Sequence, residues 1–216
     1  MYQVGHKFRR WRLGSAGAGD TDARVQVSDE NREVTAVGGR RRDAATSRLR
    51  RAAEVRAMAT RLEAEGRLGL TRDFIQHGDV SVYAHVCSVA CASLAMADVL
   101  ARAGVRMDRT ALLRGALLHD YFLYDWHDSQ NGHRLHGFSH PYTACRNAME
   151  DFDLTARERI IIRRHMFPFV PVPPTCREAW IVCLADKWCA LRETVAGHMP
   201  GRGRFSRRNA RQGERA

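Results

Sequence analysis

Apolar side chains recur every three to four residues along several stretches of this chain. Polar capping residues or glycines stand at the breaks, as expected for helices with one buried face. The first stretch runs from about Ala44 to Glu65, with Leu49, Ala52, Ala53, Val55, Met58 and Leu62 setting the period and Gly66 as its stop. In LGLTRDFIQHGD, Thr71 is placed to cap a short helix that His77 closes and Gly78 ends. A longer helix follows from about Ser81 to Ala103, carrying Val82, Val86, Val89, Ala90, Leu94, Ala97, Leu100 and Ala101, and Gly104 closes it. Asp108 caps Arg109–Asp120, where Leu112, Leu113, Ala116 and Leu117 point inward.

Residues 121–139 show no helical period, and a connection that long marks a functional segment. Trp126, Asp128, Asn131, Gly132 and Gly137 suit turns and a lid, with Trp126 as an anchor or a surface for a base. Ser139 then caps a helix that tolerates Pro141 in its first turn and runs to about Asp151. Thr155 and Glu158 form a capping box for the helix that ends at His165. FPFVPVPP breaks the chain, and Thr175 with Glu178 forms a second box opening AWIVCLADKWCALRETV. No stretch alternates as a strand does, so the fold class predicted is all-α, a helical bundle.

Composition changes this picture at the two ends. Residues 1–43 mix Gly, Ala, Asp and Arg without a period and are expected to be disordered, as is the segment 197–216. The expected division is a basic, disordered to partly helical extension over 1–57, a folded domain over 58–196 and a basic tail over 197–216. The shift in composition near Met58 leaves a start at Met58 as an alternative to Met1.

The net charge of +11 follows the same division. Residues 1–57 hold 13 basic and 7 acidic side chains, residues 197–216 hold 6 and 1, and the middle holds 16 of each. All but Lys7 and Lys187 of the 35 cations are arginine, a skew that fits GC-rich coding as readily as phosphate binding. Nucleic-acid binding through the arginine tails is therefore the weaker reading. No run of 18 apolar residues and no secretory signal is apparent, so the expected location is the cytoplasm, with no membrane partner. The six cysteines include no Cys-x-x-Cys and lie among apolar neighbours. Buried reduced thiols are the main reading, with disulfides or a thiolate zinc site as alternatives.

The candidate chemistry lies with ionisable residues in unexpected places. His85 lies on a buried face, the doublet His119-Asp120 ends a helix, His140 starts one, His165 ends one, and Asp186 sits in the apolar turn CLAD. They are separated by 34, 20, 25 and 21 residues, roughly one group per helix. In a bundle, such ligands converge from facing helices. A buried carboxylate such as Asp186 needs a partner, and a cation supplies one. Taken singly, His85 reads as a hydrogen-bonded core histidine, His140 as a helix-start residue and His165 as a favourable cation at a helix end. His127, His133 and His136 read as loop groups, with His136 as a substitute for His140 if the loop folds inward.

The order His…His-Asp…His…His…Asp resembles the HD-domain superfamily of metal-dependent phosphohydrolases, over about residues 70–195. FIQHGD, ALLHDYFLYDWH, LHGFSHP and RRHMFP look closer still to small bacterial HD proteins of unsettled substrate. The resemblance implies that His85, His119, Asp120 and Asp186 hold a first divalent metal, and that Asp120 bridges to a second held by His140 and His165. It implies a metal-activated water as nucleophile, Asp120 as the central catalytic residue, and one or two ions drawn from Mn, Fe, Ni, Zn or Mg.

The implied function is hydrolysis of a phosphomonoester or phosphodiester, of a small phosphorylated substrate such as a nucleotide. A non-catalytic nucleotide-binding or sensor module is the alternative. Arg134 in the loop is the candidate phosphate clamp. Lys187 follows a ligand and either approaches phosphate or is solvated. Leu123 stands where some cyclic-dinucleotide phosphodiesterases of the superfamily carry a lysine, and no Gly-Tyr-Pro signature occurs. Both departures count against cyclic-di-GMP cleavage.

Overall fold

The computed structural model describes residues 20–125 and 136–197, with side chains over 41–76, 78–125 and 137–196. The expected lid residues from Trp126 to Asn131, His133 and Arg134 lie outside the described residues, as do the two chain ends. Six α-helices and one small hairpin make up the described chain, in the order α1 (Asp20–Glu65), β1 (Ile75–His77), β2 (Val80–Ser81), α2 (Val82–Arg102), α3 (Arg109–Leu118), α4 (His136–Asp151), α5 (Ala156–Arg164) and α6 (Arg177–Gly197). The chain divides after Ser47 into two units, and α1 runs across the division.

The start of α1 is corrected from Ala44 to Asp20. No proline interrupts Asp20–Glu65, and its Ala, Arg and Glu residues favour helix without needing an apolar stripe to announce it. In the second unit, Val55, Ala59 and Leu62 of α1 enter the core, whereas Leu49, expected to face inward, is exposed.

The expected short helix after Thr71 is also corrected. Leu68–Arg72 forms a 3-10 turn in which the Thr71 hydroxyl donates to the Leu68 carbonyl at 2.6 Å. An antiparallel hairpin follows, pairing Ile75 with Ser81 and His77 with Val80. Its two-residue loop is Gly78-Asp79, with Gly78 at φ +58°, a conformation that glycine takes without strain. His77 is therefore a strand residue, not a helix cap.

The remaining helices start and stop close to their predicted limits. The Ser81 side chain accepts from the Ala84 N–H to open α2, and Gly104 at φ +80° ends it. The Asp108 carboxylate accepts from Ala111 N–H to open α3. The Thr155–Glu158 capping box of α5 is complete.

Two starts differ. Helix α4 begins at His136, so His140 and Pro141 lie inside it rather than at its first turn, and the loop is shorter than expected. The last helix begins at Arg177, with the Cys176 carbonyl accepting from Trp180 N–H. Glu178, expected to close a capping box there, instead accepts at Oε1 from Asp108 N–H at 2.8 Å and from Arg157 at 2.6 Å.

Helix α2 is the centre of the bundle. It packs on α3 and α6, α3 packs on α5, and α5 on both α4 and α6. By length and composition alone α2 passes as a membrane span, yet Val82, Val86, Val89, Ala90, Leu94 and Ala97 all sit in the core. Each fully buried leucine or valine there contributes about 1.5–3 kcal/mol. Gly115 lets α3 and α5 approach closely: a Cβ at that position would lie 2.7 Å from Ile161 Cγ2.

Candidate metal centre

Two helices end at one place. His119 follows the last residue of α3 and His165 the last residue of α5, and their rings lie 4.8 Å apart between centroids. The two side chains turn back in the same way. His119 Nδ1 is 2.8 Å from the Ala116 carbonyl and His165 Nδ1 is 2.7 Å from the Ile162 carbonyl. A carbonyl only accepts, so each Nδ1 carries the proton, and in the neutral ring each Nε2 is left with its lone pair. That is the tautomer a metal-binding histidine needs. His85, one turn into α2, reaches the same state by another route, since its Nδ1 lies 2.8 Å from Glu193 Oε2 on α6.

All six side chains expected from the sequence meet here, and all are buried: His85, His119, Asp120, His140, His165 and Asp186. Asp120 divides them into two groups. Its Oδ2 is 3.8 Å from His85 Nε2 and 3.4 Å from His119 Nε2. Asp186 Oδ1 completes that side, 3.1 Å from His85 Nε2 and 3.6 Å from His119 Nε2. Asp120 Oδ1 faces the other side, 3.2 Å from His140 Nε2 and 3.5 Å from His165 Nε2, which are themselves 2.9 Å apart. The sets His85–His119–Asp186 and His119–Asp120–His165 each bring three ligand atoms within the span of one ion.

The electrostatics favour a cation. Burial disfavours charge on His85, but Asp186 and Glu193 outweigh it and raise its pKa to about 10. Burial likewise opposes protonation of His119, and the Asp120 and Asp186 carboxylates reverse the balance. Both aspartates are pushed up by burial and further down by their imidazole neighbours, so both end below the ordinary carboxylate range. His165 goes the other way, depressed to about 3 by burial and by His119 and His140.

Asp120, Asp186 and Glu193 thus stand around His85 and His119, which retain a proton as a counter-charge. His119 Nε2 and Asp120 Oδ1 are buried without a partner in hydrogen-bonding geometry, a cost that divalent cations held by the cluster would remove. Imidazole nitrogens with carboxylate oxygens suit Mn²⁺, Fe²⁺, Ni²⁺ or Zn²⁺, so the residues fit the implied cofactor.

Two further residues shape the centre and were missed from the sequence. Gln76, on β1, donates from Nε2 to Asp120 Oδ2 at 2.7 Å, and its Oε1 is buried without a partner. It lies in a stretch that reads as helix, where a lone glutamine carries no pattern. Glu193 lies one turn past the apolar part of α6, where it reads as an ordinary surface acid. The signal that could have found it is its seven-residue spacing from Asp186, two helical turns that put both acids on one side of α6.

Lys187 donates from Nζ to the His165 carbonyl at 2.8 Å and lies 3.9 Å from Asp186 Oδ2. It is half-buried and tied to the frame of the site rather than fully solvated. Arg134 lies outside the described residues, and so does the side chain of His136. The six cysteines are unpaired.

After the doublet the backbone makes a tight turn in which Leu123 takes φ +57°, a left-handed conformation that costs a leucine energy. Asn147 on α4 holds this turn by donating from Nδ2 to the Tyr121 and Phe122 carbonyls, both at 3.0 Å.

The family model described as HD domain matches residues 82–191, just over half of the chain and inclusive of all six clustered side chains. Gln76 and Glu193 fall outside that span. No curated protein and no solved structure matches the chain.

Proposed function

The chain belongs to the HD-domain family, and on that footing we propose that it is a divalent-metal-dependent phosphohydrolase acting on a phosphomonoester or phosphodiester of a small molecule, with a nucleotide as the substrate class. The observation that carries this reading is the division of one carboxylate, Asp120, between two sets of nitrogen ligands. His85, His119, Asp120 and Asp186 would hold one ion, and Asp120, His140 and His165 a second. When bound, the ions supply an activated water and positive charge for a phosphoryl oxygen.

The chain's own residues orient this chemistry. The Ala116 and Ile162 carbonyls fix the His119 and His165 tautomers, Glu193 fixes His85, and Gln76 holds one oxygen of Asp120 in place. Lys187 and Arg134 are our candidates for contact with the substrate phosphate. The reduced cysteines are compatible with the cytoplasm as its location.

Elemental analysis of the purified protein, paired with a screen of phosphorylated metabolites, tests the proposal. We expect bound transition metal and metal-stimulated phosphate release that His119→Ala and Asp120→Ala both abolish while helicity is kept. Unchanged turnover in both variants contradicts the site. Stoichiometric metal and tight nucleotide binding without turnover over several divalent ions would replace the enzyme reading with a sensor module.

A further inference from the structure

Helix α6 has a second face that the metal centre does not use. Its inner side carries Asp186 and Glu193, while Trp180, Leu184, Trp188, Leu191 and Val195 are between 40% and 58% exposed. At 3.6 residues per turn these five fall within an arc of roughly 80° and along about 22 Å of helix. Scattered exposed apolar side chains are ordinary, but a continuous row with two tryptophans marks an interaction surface. Phe169 and Val172, in the segment before α6, are exposed as well, and the Phe167 ring packs 5.5 Å from that of Trp180.

The charge beside the row has one sign. Arg177 and Arg192 are exposed. The acids of the same helix turn inward: Glu178 and Asp186 are buried, and Glu193 is bonded to His85. The sequence that follows, residues 197–216, holds six arginines and one glutamate. A second copy docking through this row would bring like charges together, because a two-fold contact repeats the same patch on both sides. An anionic lipid surface fits both features. It accepts the indoles and leucines at the headgroup boundary and pairs the flanking cations with phosphate.

We propose that the outward face of α6 docks the protein on an anionic lipid surface. This departs from the expectation of no membrane partner, which rested on the lack of a spanning run. The chain would lie on the surface and need not span it, and the proposal is independent of any catalytic activity.

Co-sedimentation of the full-length protein with vesicles tests it, using phosphatidylcholine alone and phosphatidylcholine mixed with phosphatidylserine. The mixed vesicles should pellet the protein, the neutral ones much less, and added salt should weaken the effect. A Leu184→Glu, Leu191→Glu double variant changes only exposed positions, and retention of helicity and metal content verifies its folding. It should lose about tenfold or more of the binding. Failure of the wild type to bind mixed vesicles overturns the proposal, as does undiminished binding by the double variant. A vesicle-indifferent chain that forms a dimer sensitive to the same substitutions assigns the face to a second copy instead.

Discussion

His119 and His165 perform the same task at the ends of two helices, each using a carbonyl of its own last turn to fix its ring. His85 sits inside a helix, where the nearby carbonyls are committed to the backbone ladder, and so depends on a side chain from elsewhere. Glu193 is that side chain. Removing it withdraws the acceptor that sets the tautomer of the ring. Glu193→Ala should therefore weaken metal affinity about 10- to 100-fold, the range for loss of a partner that orients a ligand. Glu193→Gln should recover part of the loss, because the amide oxygen still accepts the Nδ1 proton. Titration calorimetry of metal into the apo protein measures both, and equal affinities for all three proteins would remove Glu193 from the centre.

At the scale of elements, the contact between α3 and α5 sets how closely the two ring-bearing ends approach. Gly115 makes that contact possible against Ile161. Gly115→Ala gains about 1 kcal/mol of helix propensity, but its methyl meets a β-branched side chain in a packed core, where overpacking costs about 1–3 kcal/mol. We expect a net loss of stability in urea denaturation and partial recovery when Ile161→Val is added. A stabilised Gly115→Ala protein would show that the helices separate freely.

The same scale explains what the sequence disclosed. Helices α2, α3 and α5 carry both an apolar period and a polar cap, Ser81, Asp108 or Thr155, so their limits were legible. Strands of two and three residues are too short to alternate, which hid the hairpin and Gln76 with it. The first part of α1 has no apolar period to display. Pro141 resembles a first-turn residue until the helix is seen to begin at His136. His85 and Asp186 were legible as costly groups among apolar neighbours, and His119, Asp120, His140 and His165 through the order His…His-Asp…His…His…Asp; Glu193 was not, because an acid near a helix end is commonplace.

At the scale of the second unit, separate parts of the chain are tied together around Asp151. The Arg67 guanidinium donates from Nε and Nη2 to Asp151 at 2.7 and 2.9 Å, and Tyr121 donates its hydroxyl to the same carboxylate at 2.7 Å. This joins the segment after α1, the turn after the doublet and the end of α4. Burial pushes the Asp151 carboxyl up, but Arg67 and Tyr121 push it further down, so its folded pKa lies below its ordinary value. The stability it contributes is therefore complete above the unfolded pKa of about 3.9 and is lost as pH falls through the lower folded value. The difference in urea midpoint between the wild type and Asp151→Asn should be full at neutral pH and shrink in acid. A gap that stays constant down to pH of about 3 would show that the ion pair is not what links Asp151 to stability.

The placement of His119 and His165 at helix ends makes the centre a ruler for α3 and α5. Adding or deleting one residue upstream in either helix would swing its terminal ring by about 100° around the axis. Every one of the six clustered side chains would still be present in the sequence, yet the cluster would be broken. Changes in the length of these two helices are therefore far more restricted than changes in their composition.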